Sequence, residues 1–261
     1  SLRPLHRTRL VEQLLRVLVK RGRLIETSDG WKAATTMDGA VRATVVSQKQ
    51  EQSLEVELVT RCGEGLLDVL SGRIANPLEL LFPSDSRKAS AASMYNDTQA
   101  AILFNTIVAR TVRELSRDAA ALAPTVRILE IGAGTGGTTC VLLEELEPLV
   151  TKGTCCLAEY AFTDISASFF TKAKKRFPAE KYPYVDYRVL DIERDPEEQG
   201  LALHSYDVIV AANVLHATRD ITRTLGNVRK LLAPGGALVA LEIVIRDVWL
   251  DIVFGLLEGW W

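Results

Sequence analysis

No apolar run in this chain of 261 residues is long enough to cross a membrane. The longest, "GGALVALEIVI" at 235–245, falls well short of the roughly 20 residues that a spanning helix needs. The basic opening "SLRPLHRTRL" has no apolar segment behind it, so it does not read as a secretory signal. Charge is nearly balanced, with 31 Lys and Arg against 33 Asp and Glu and a formal net of −2. That balance offers no global positive field to recruit nucleic acid or an anionic membrane surface. Cysteine is scarce, and Cys62, Cys140, Cys155 and Cys156 show none of the paired spacings of a zinc site or a disulfide framework. Cys155 and Cys156 read as small apolar fillers inside a strand, facing opposite ways, in a reducing, cytoplasmic compartment. Histidine is scarcer still, with only His6, His204 and His216.

What is there is an ordinary globular composition, 48% hydrophobic and 25% charged, enough for a sizeable core. Residues 1–88 read as mostly helical. "RTRLVEQLLRVLVKRG" has apolar residues at helical spacing, and "RLIETSDGWKAA" suggests a hairpin around "SDG". "EVELVTRCGEGLLDVLSG" predicts a helix broken at Gly63 and closed at Ser71-Gly72, and "NPLELLFPSDS" is turn or linker chemistry. "AASMYNDTQAAILFNTIVARTVREL" then predicts one long amphipathic helix.

Beyond it, strands and helices alternate. The strands are "VRILEI", "CCLAEYAFTDI", "VDYRVLDI", "YDVIVAANVL" and "ALVALEIVI", the last after a turn "APGG". Helical stretches of this length between strands imply a parallel, doubly wound α/β sheet.

The chemistry concentrates at the ends of these strands. In "ILEIGAGTGG" (128–137), Gly132, Gly134 and Gly136 let the backbone approach a ligand with no Cβ in the way. Glu130 precedes them inside an apolar strand, where a carboxylate needs a cationic or hydrogen-bonding partner; the amine of an amino-acid moiety would be one. Asp164 ends the second strand, where it suits ribose hydroxyls, or else caps the following helix. Asp191 ends the third, placed to accept from an adenine amine with Ile192 against the ring; as a capping residue it reads equally well. His216 follows the fourth, and such a histidine, taken alone, is a packed and satisfied side chain.

Together "ILEIGAGTGGTT", "FTDIS", "LDIE", "YDVIVAANVLHAT" and "LLAPGGALVALE" resemble the successive motifs of a class I S-adenosylmethionine-dependent methyltransferase. More narrowly, the chain resembles the C-methyltransferase domains of polyketide synthases, a likeness shared by "LLFPSDS", "MYNDT...N" and "WLDIVFGLLEGWW". The resemblance implies a Rossmann-like sheet of order 3-2-1-4-5, a mostly helical N-terminal lid over 1–88 and a cofactor-binding core over 89–261. It also implies that the last strands of the fold lie beyond Trp261.

S-adenosylmethionine is the implied cofactor, with S-adenosylhomocysteine as product. The implied partners are an acyl carrier protein bearing a β-ketoacyl thioester and neighbouring synthase domains, with no nucleic acid, membrane or metal. In that sheet order the ends of strands four and five are neighbours, so His216 and Glu242 would stand side by side as the family's His–Glu dyad. His216 would remove the α-proton and Glu242 orient the imidazole; otherwise Glu242 makes a surface salt bridge or a lid contact. Asn213 would touch the cofactor's methionine part or an enolate oxygen, or else terminate the strand. Tyr95 would close over the methyl donor, or else belong to the core. The competing readings are an O- or N-methyltransferase, a non-catalytic scaffold and a dinucleotide oxidoreductase.

Overall fold

The computed structural model describes residues 5–34, 53–83, 85, 88–244 and 247–261. The chain divides into two compact units, Ser1–Met94 with Ile245–Trp261, and Tyr95–Val244. Part of the helical segment expected over 1–88, residues 35–52, lies outside the described residues.

In the first unit, α1 (Leu5–Lys20) leads into the expected hairpin of β1 (Leu24–Thr27) and β2 (Gly30–Ala33). Helix α2 (Leu54–Ser71) runs straight through Gly63, which the sequence marks as a break. A mid-helix glycine costs only about 1 kcal/mol against alanine, and this helix is secured at both ends. Ser53 accepts the Val56 N–H at its start, and Gly72, at φ 81°, closes it in the left-handed form. "NPLELLFPSDS" is not all turn, because Leu78–Leu81 forms one helical turn, α3. The last helix of the chain packs here and not with the sheet, where the expected boundaries put it. In it, α4 of this unit (Val248–Phe254), Asp251 is buried and accepts from Gln13 Nε2 (3.1 Å) and Trp260 Nε1 (2.9 Å).

The expected long helix after Ser90 is two, Ala91–Asn96 (α5) and Gln99–Leu122 (α6). Thr98 makes the break: its Oγ1 accepts the Ala101 N–H and starts a new helix. In α6, Asn105, Val108, Ala109, Val112 and Ser116 form the buried stripe, at helical spacing.

The sheet consists of β3 (Val126–Ile131), β4 (Leu157–Asp164), β5 (Val185–Val189), β6 (Tyr206–Ala212) and β7 (Leu232–Leu241). It is parallel throughout and ordered β5-β4-β3-β6-β7, the expected 3-2-1-4-5. Among the described strands β7 pairs with β6 alone, so its outer side is an edge. One face packs Ile128, Phe162 and Val208 against Val108 and Val112 of α6 and Leu142 and Leu146 of α7 (Gly137–Thr151). The other packs Leu129 and Ile209 against Val228 and Leu231 of α8 (Ile221–Leu231).

Strand ends differ from expectation in four places. Cys155 and Cys156 precede β4; one is buried and the other exposed, as two consecutive extended residues require. Asp191 lies two residues past β5. β6 stops at Ala212, because Asn213 takes φ 53° and turns the chain out of the sheet. "APGG" lies inside β7 as a bulge opposite Asp207, with Gly235 at φ 81°, and β7 stops at Leu241.

Candidate active site

The loop from β3 into α7 holds three left-handed glycines, Gly132 (φ 65°), Gly134 (53°) and Gly136 (77°). It is clamped to the end of β4, since Ala133 N donates to Thr163 O (2.9 Å) and Gly134 N to Asp164 Oδ2 (3.0 Å). The other oxygen of Asp164 accepts the Ser166 N–H at 2.9 Å. Capping of the next turn falls to Ser166, so Asp164 is not the N-cap that the alternative reading made it. Its buried carboxylate organises the glycine loop and faces the cleft beyond it.

Glu130 is fully buried behind that loop. Its partners are hydroxyls that the sequence did not signal: Oε2 accepts from Thr139 (2.6 Å) and Tyr160 (2.5 Å). Burial pushes the Glu130 carboxyl up to about 7 against these hydrogen bonds, with the nearby charge of Asp164 adding to the rise.

Asp191 and Ile192 sit on a loop pinned from outside by Gln199 and Asn227. Gln199 exchanges two hydrogen bonds with the Asp191 backbone, and Asn227 Nδ2 donates to Ile192 O (2.8 Å). Asp191 Oδ1 accepts the Glu193 N–H, a local turn, and caps no helix. Gly132, Asp164, Asp191, Ile192, Asn213 and Val214 line one cleft of about 290 Å³ at the carboxyl ends of the strands. Glu130 lies beneath the loop and outside this lining.

Across the cleft, Asn213 N donates to Leu241 O (2.7 Å), drawing the end of β6 against that of β7. The next residues form a short turn, Leu215–Ala217, at whose entry the N–H groups of Val214 and Leu215 need acceptors. Glu242 provides them: Oε1 accepts from Val214 N (3.1 Å) and Leu215 N (2.7 Å), and Oε2 meets His216 Nδ1 at 2.5 Å. Burial works to raise the Glu242 carboxyl, but the His216 imidazole and the Leu215 and Val214 N–H groups hold it below the usual carboxylate value. His216 is 38% exposed in its side chain, and with Nδ1 engaged its Nε2 is the nitrogen left for chemistry. Asn213 Oδ1 is buried and has no hydrogen-bond partner. Tyr95 is in electrostatic reach of Glu242; burial, then that charge, push its phenol up to about 12.

The methyltransferase domain model matches residues 129–238, the sheet and its loops. The CurJ carbon methyltransferase superposes with a TM-score of 0.80 at 41% identity, over 99% of this chain and 66% of that one. The CalH trans-methyltransferase, solved in complex with SAH, is 31% identical with a TM-score of 0.73, over 100% of this chain and 70% of its own. The chain belongs to the class I S-adenosylmethionine-dependent methyltransferases and is similar to carbon methyltransferases such as CurJ. Among curated relatives, the non-reducing polyketide synthase ausA of Penicillium brasilianum is 38% identical over 83% of this chain. The chain spans only 8% of that synthase's length.

The residues present suit this family's cofactor. Gly132 and Gly134 leave no side chain between backbone and ligand, and the unpartnered Asn213 Oδ1 is an acceptor lacking the donor that a bound amine supplies. Sequence reasoning missed Thr139, Tyr160, Gln199 and the backbone donors of Val214 and Leu215. Nothing in their spacing marks them: Tyr160 reaches over from the neighbouring strand, Thr139 from the helix after the loop and Gln199 from a short turn, and Val214 and Leu215 use backbone groups.

Proposed function

We propose that this domain methylates the α-carbon of a β-ketoacyl thioester presented by an acyl carrier protein during polyketide assembly, inside a longer synthase. The observation that carries the reading is the His216–Glu242 pair at 2.5 Å beside the cleft. Transfer to oxygen or nitrogen uses the same cofactor cleft but needs no such base, which ranks those alternatives second.

S-adenosylmethionine, when bound, supplies an electrophilic methyl group on a sulfonium. His216 Nε2 takes the proton from the carbon between ketone and thioester, which leaves that carbon nucleophilic toward the methyl group that the cofactor would supply. Glu242 holds the tautomer with the proton on Nδ1 and stabilises the imidazolium formed. Asp164 receives the ribose hydroxyls, and Asp191 with Ile192 the adenine. Asn213 Oδ1 accepts from the amine of the methionine part; as an acceptor it does not suit an enolate oxygen. Glu130 acts on the loop from beneath, through Thr139 and Tyr160, and not on that amine. Tyr95 closes over the methyl donor, and residues 1–88 act as a lid, so that a chain without them binds cofactor but turns over slowly.

The test is a purified chain, S-adenosylmethionine and a β-ketoacyl thioester analogue, with the product located by fragment mass spectrometry. Methyl on the α-carbon is expected; methyl on oxygen would move the domain to the competing class.

A further inference from the structure

Helix α6 carries one amide in its buried stripe, Asn105, which is 4% exposed. Unlike the other polar member of that stripe, Ser116, whose hydroxyl has no partner, Asn105 has both ends of its amide engaged. Nδ2 donates to Tyr95 O at 3.1 Å, and Oδ1 accepts from Thr138 Oγ1 at 3.1 Å. Tyr95 is next to last in α5, and Thr138 is the second residue of α7, directly after the glycine loop. A second contact reinforces the link: a Cβ on Gly137 would stand 1.6 Å from Asn96 Oδ1. Only a residue without a side chain lets Asn96 rest there. The Tyr95-Asn96 segment is thus fixed to the first turn of α7 at two points, while the Tyr95 phenol lies within reach of the Glu242 charge.

We propose that Asn105 is a positioning residue: its amide bridges the Tyr95 carbonyl to Thr138, so that the end of the cofactor loop sets where Tyr95 stands. One buried amide donates at one end and accepts at the other, which suits the transmission of position. A displaced phenol is costly, because a shift of about 1 Å at a reacting centre lowers rates by up to roughly 10²-fold. This rests on Tyr95 acting in the reaction proposed above.

A double-mutant cycle tests it. Asn105→Ala is expected to lower kcat about 10- to 100-fold, with S-adenosylhomocysteine affinity nearly unchanged. Tyr95→Phe is expected to lower kcat as well, and Asn105→Ala should add little on top of it. Equal slowing by Asn105→Ala in the wild-type and Tyr95→Phe backgrounds would overturn the inference, and so would a silent Tyr95→Phe or a silent Asn105→Ala. If Asn105→Ala does not fold, Thr138→Val cuts the same bridge at its far end with little change of shape and is judged by the same cycle. Amide exchange supplies a reading independent of turnover: the variant should speed exchange at residues 95–98 and leave β3 and β4 unchanged. Unchanged exchange there sinks the bridge, whereas absence of α-carbon product from the wild type sinks only the proposed reaction.

Discussion

Gly132 and Val214 touch: a Cβ on Gly132 would stand 2.4 Å from Val214 Cγ2. The cofactor loop and the dyad turn therefore meet at one point, because the Val214 N–H is also a donor to Glu242. Gly132→Ala is expected to weaken cofactor binding and slow turnover together, since a side chain there pushes on the turn that carries His216. Gly153→Ala is the control: its φ is 67° with open space around it, so it bears only the left-handed penalty of about 1–2 kcal/mol. It should melt earlier and methylate normally. Parallel calorimetry and rate assays separate the two.

His216→Ala should reduce methylation by about 10²–10⁴-fold, the usual contribution of a general base. Cofactor affinity should hold, because no cofactor-facing residue depends on the imidazole. Glu242→Gln has a double effect, because the same carboxylate orients His216 and accepts from Val214 and Leu215. Near wild-type α-carbon methylation by His216→Ala would return this histidine to ordinary packing.

Asp164→Ala should weaken S-adenosylhomocysteine binding by about 1–3 kcal/mol, the scale of hydrogen bonds to a charged group. It loses the ribose acceptor and also the anchor on Gly134 N. Titration calorimetry reads the loss, and unchanged affinity would dismiss Asp164 from the site.

Glu130 gives a pH signature with a definite sign. Its carboxyl is raised from 4.5 to about 7 in the folded chain, so the fold binds that proton more tightly than the unfolded chain does. The resulting contribution to stability is fully present below pH 4.5 and is lost as pH rises through about 7. The melting temperature of Glu130→Gln, compared with wild type, should therefore improve across that window. Glu242 works in the opposite direction: its lowered carboxyl contributes above 4.5 and loses that contribution as pH falls below it.

The parallel alternation and the glycine loop were legible from period and spacing, whereas the order of the strands and the meeting of His216 with Glu242 were implied by the resemblance to the methyltransferases. Apolar runs of strand length mark β3 and β6, glycines at alternate positions mark a ligand turn, and parallel order fixes which strand ends are neighbours. The strand ends were less legible. Asn213 reads as a continuation of β6 until its backbone is seen at φ 53°, and Gly63 reads as a breaker although its helix is capped at both ends. The carboxylates were found, but their partners were not: Glu130 was paired by sequence with an amine, whereas the fold supplies Thr139 and Tyr160. Side chains reaching over from a helix turn, as Thr139 does, or from the next strand, as Tyr160 does, leave no spacing to read.

The outer edge of β7 has a consequence for handling the chain in solution. β7 has no neighbouring strand on its outer side among the described residues, where the backbone donors and acceptors of alternate residues point, and such an edge templates a second copy. Association should grow with protein concentration in ultracentrifugation. Ala240→Lys, at an exposed position of that strand, is expected to suppress it, since burying an ammonium between paired edges costs more than the new hydrogen bonds return.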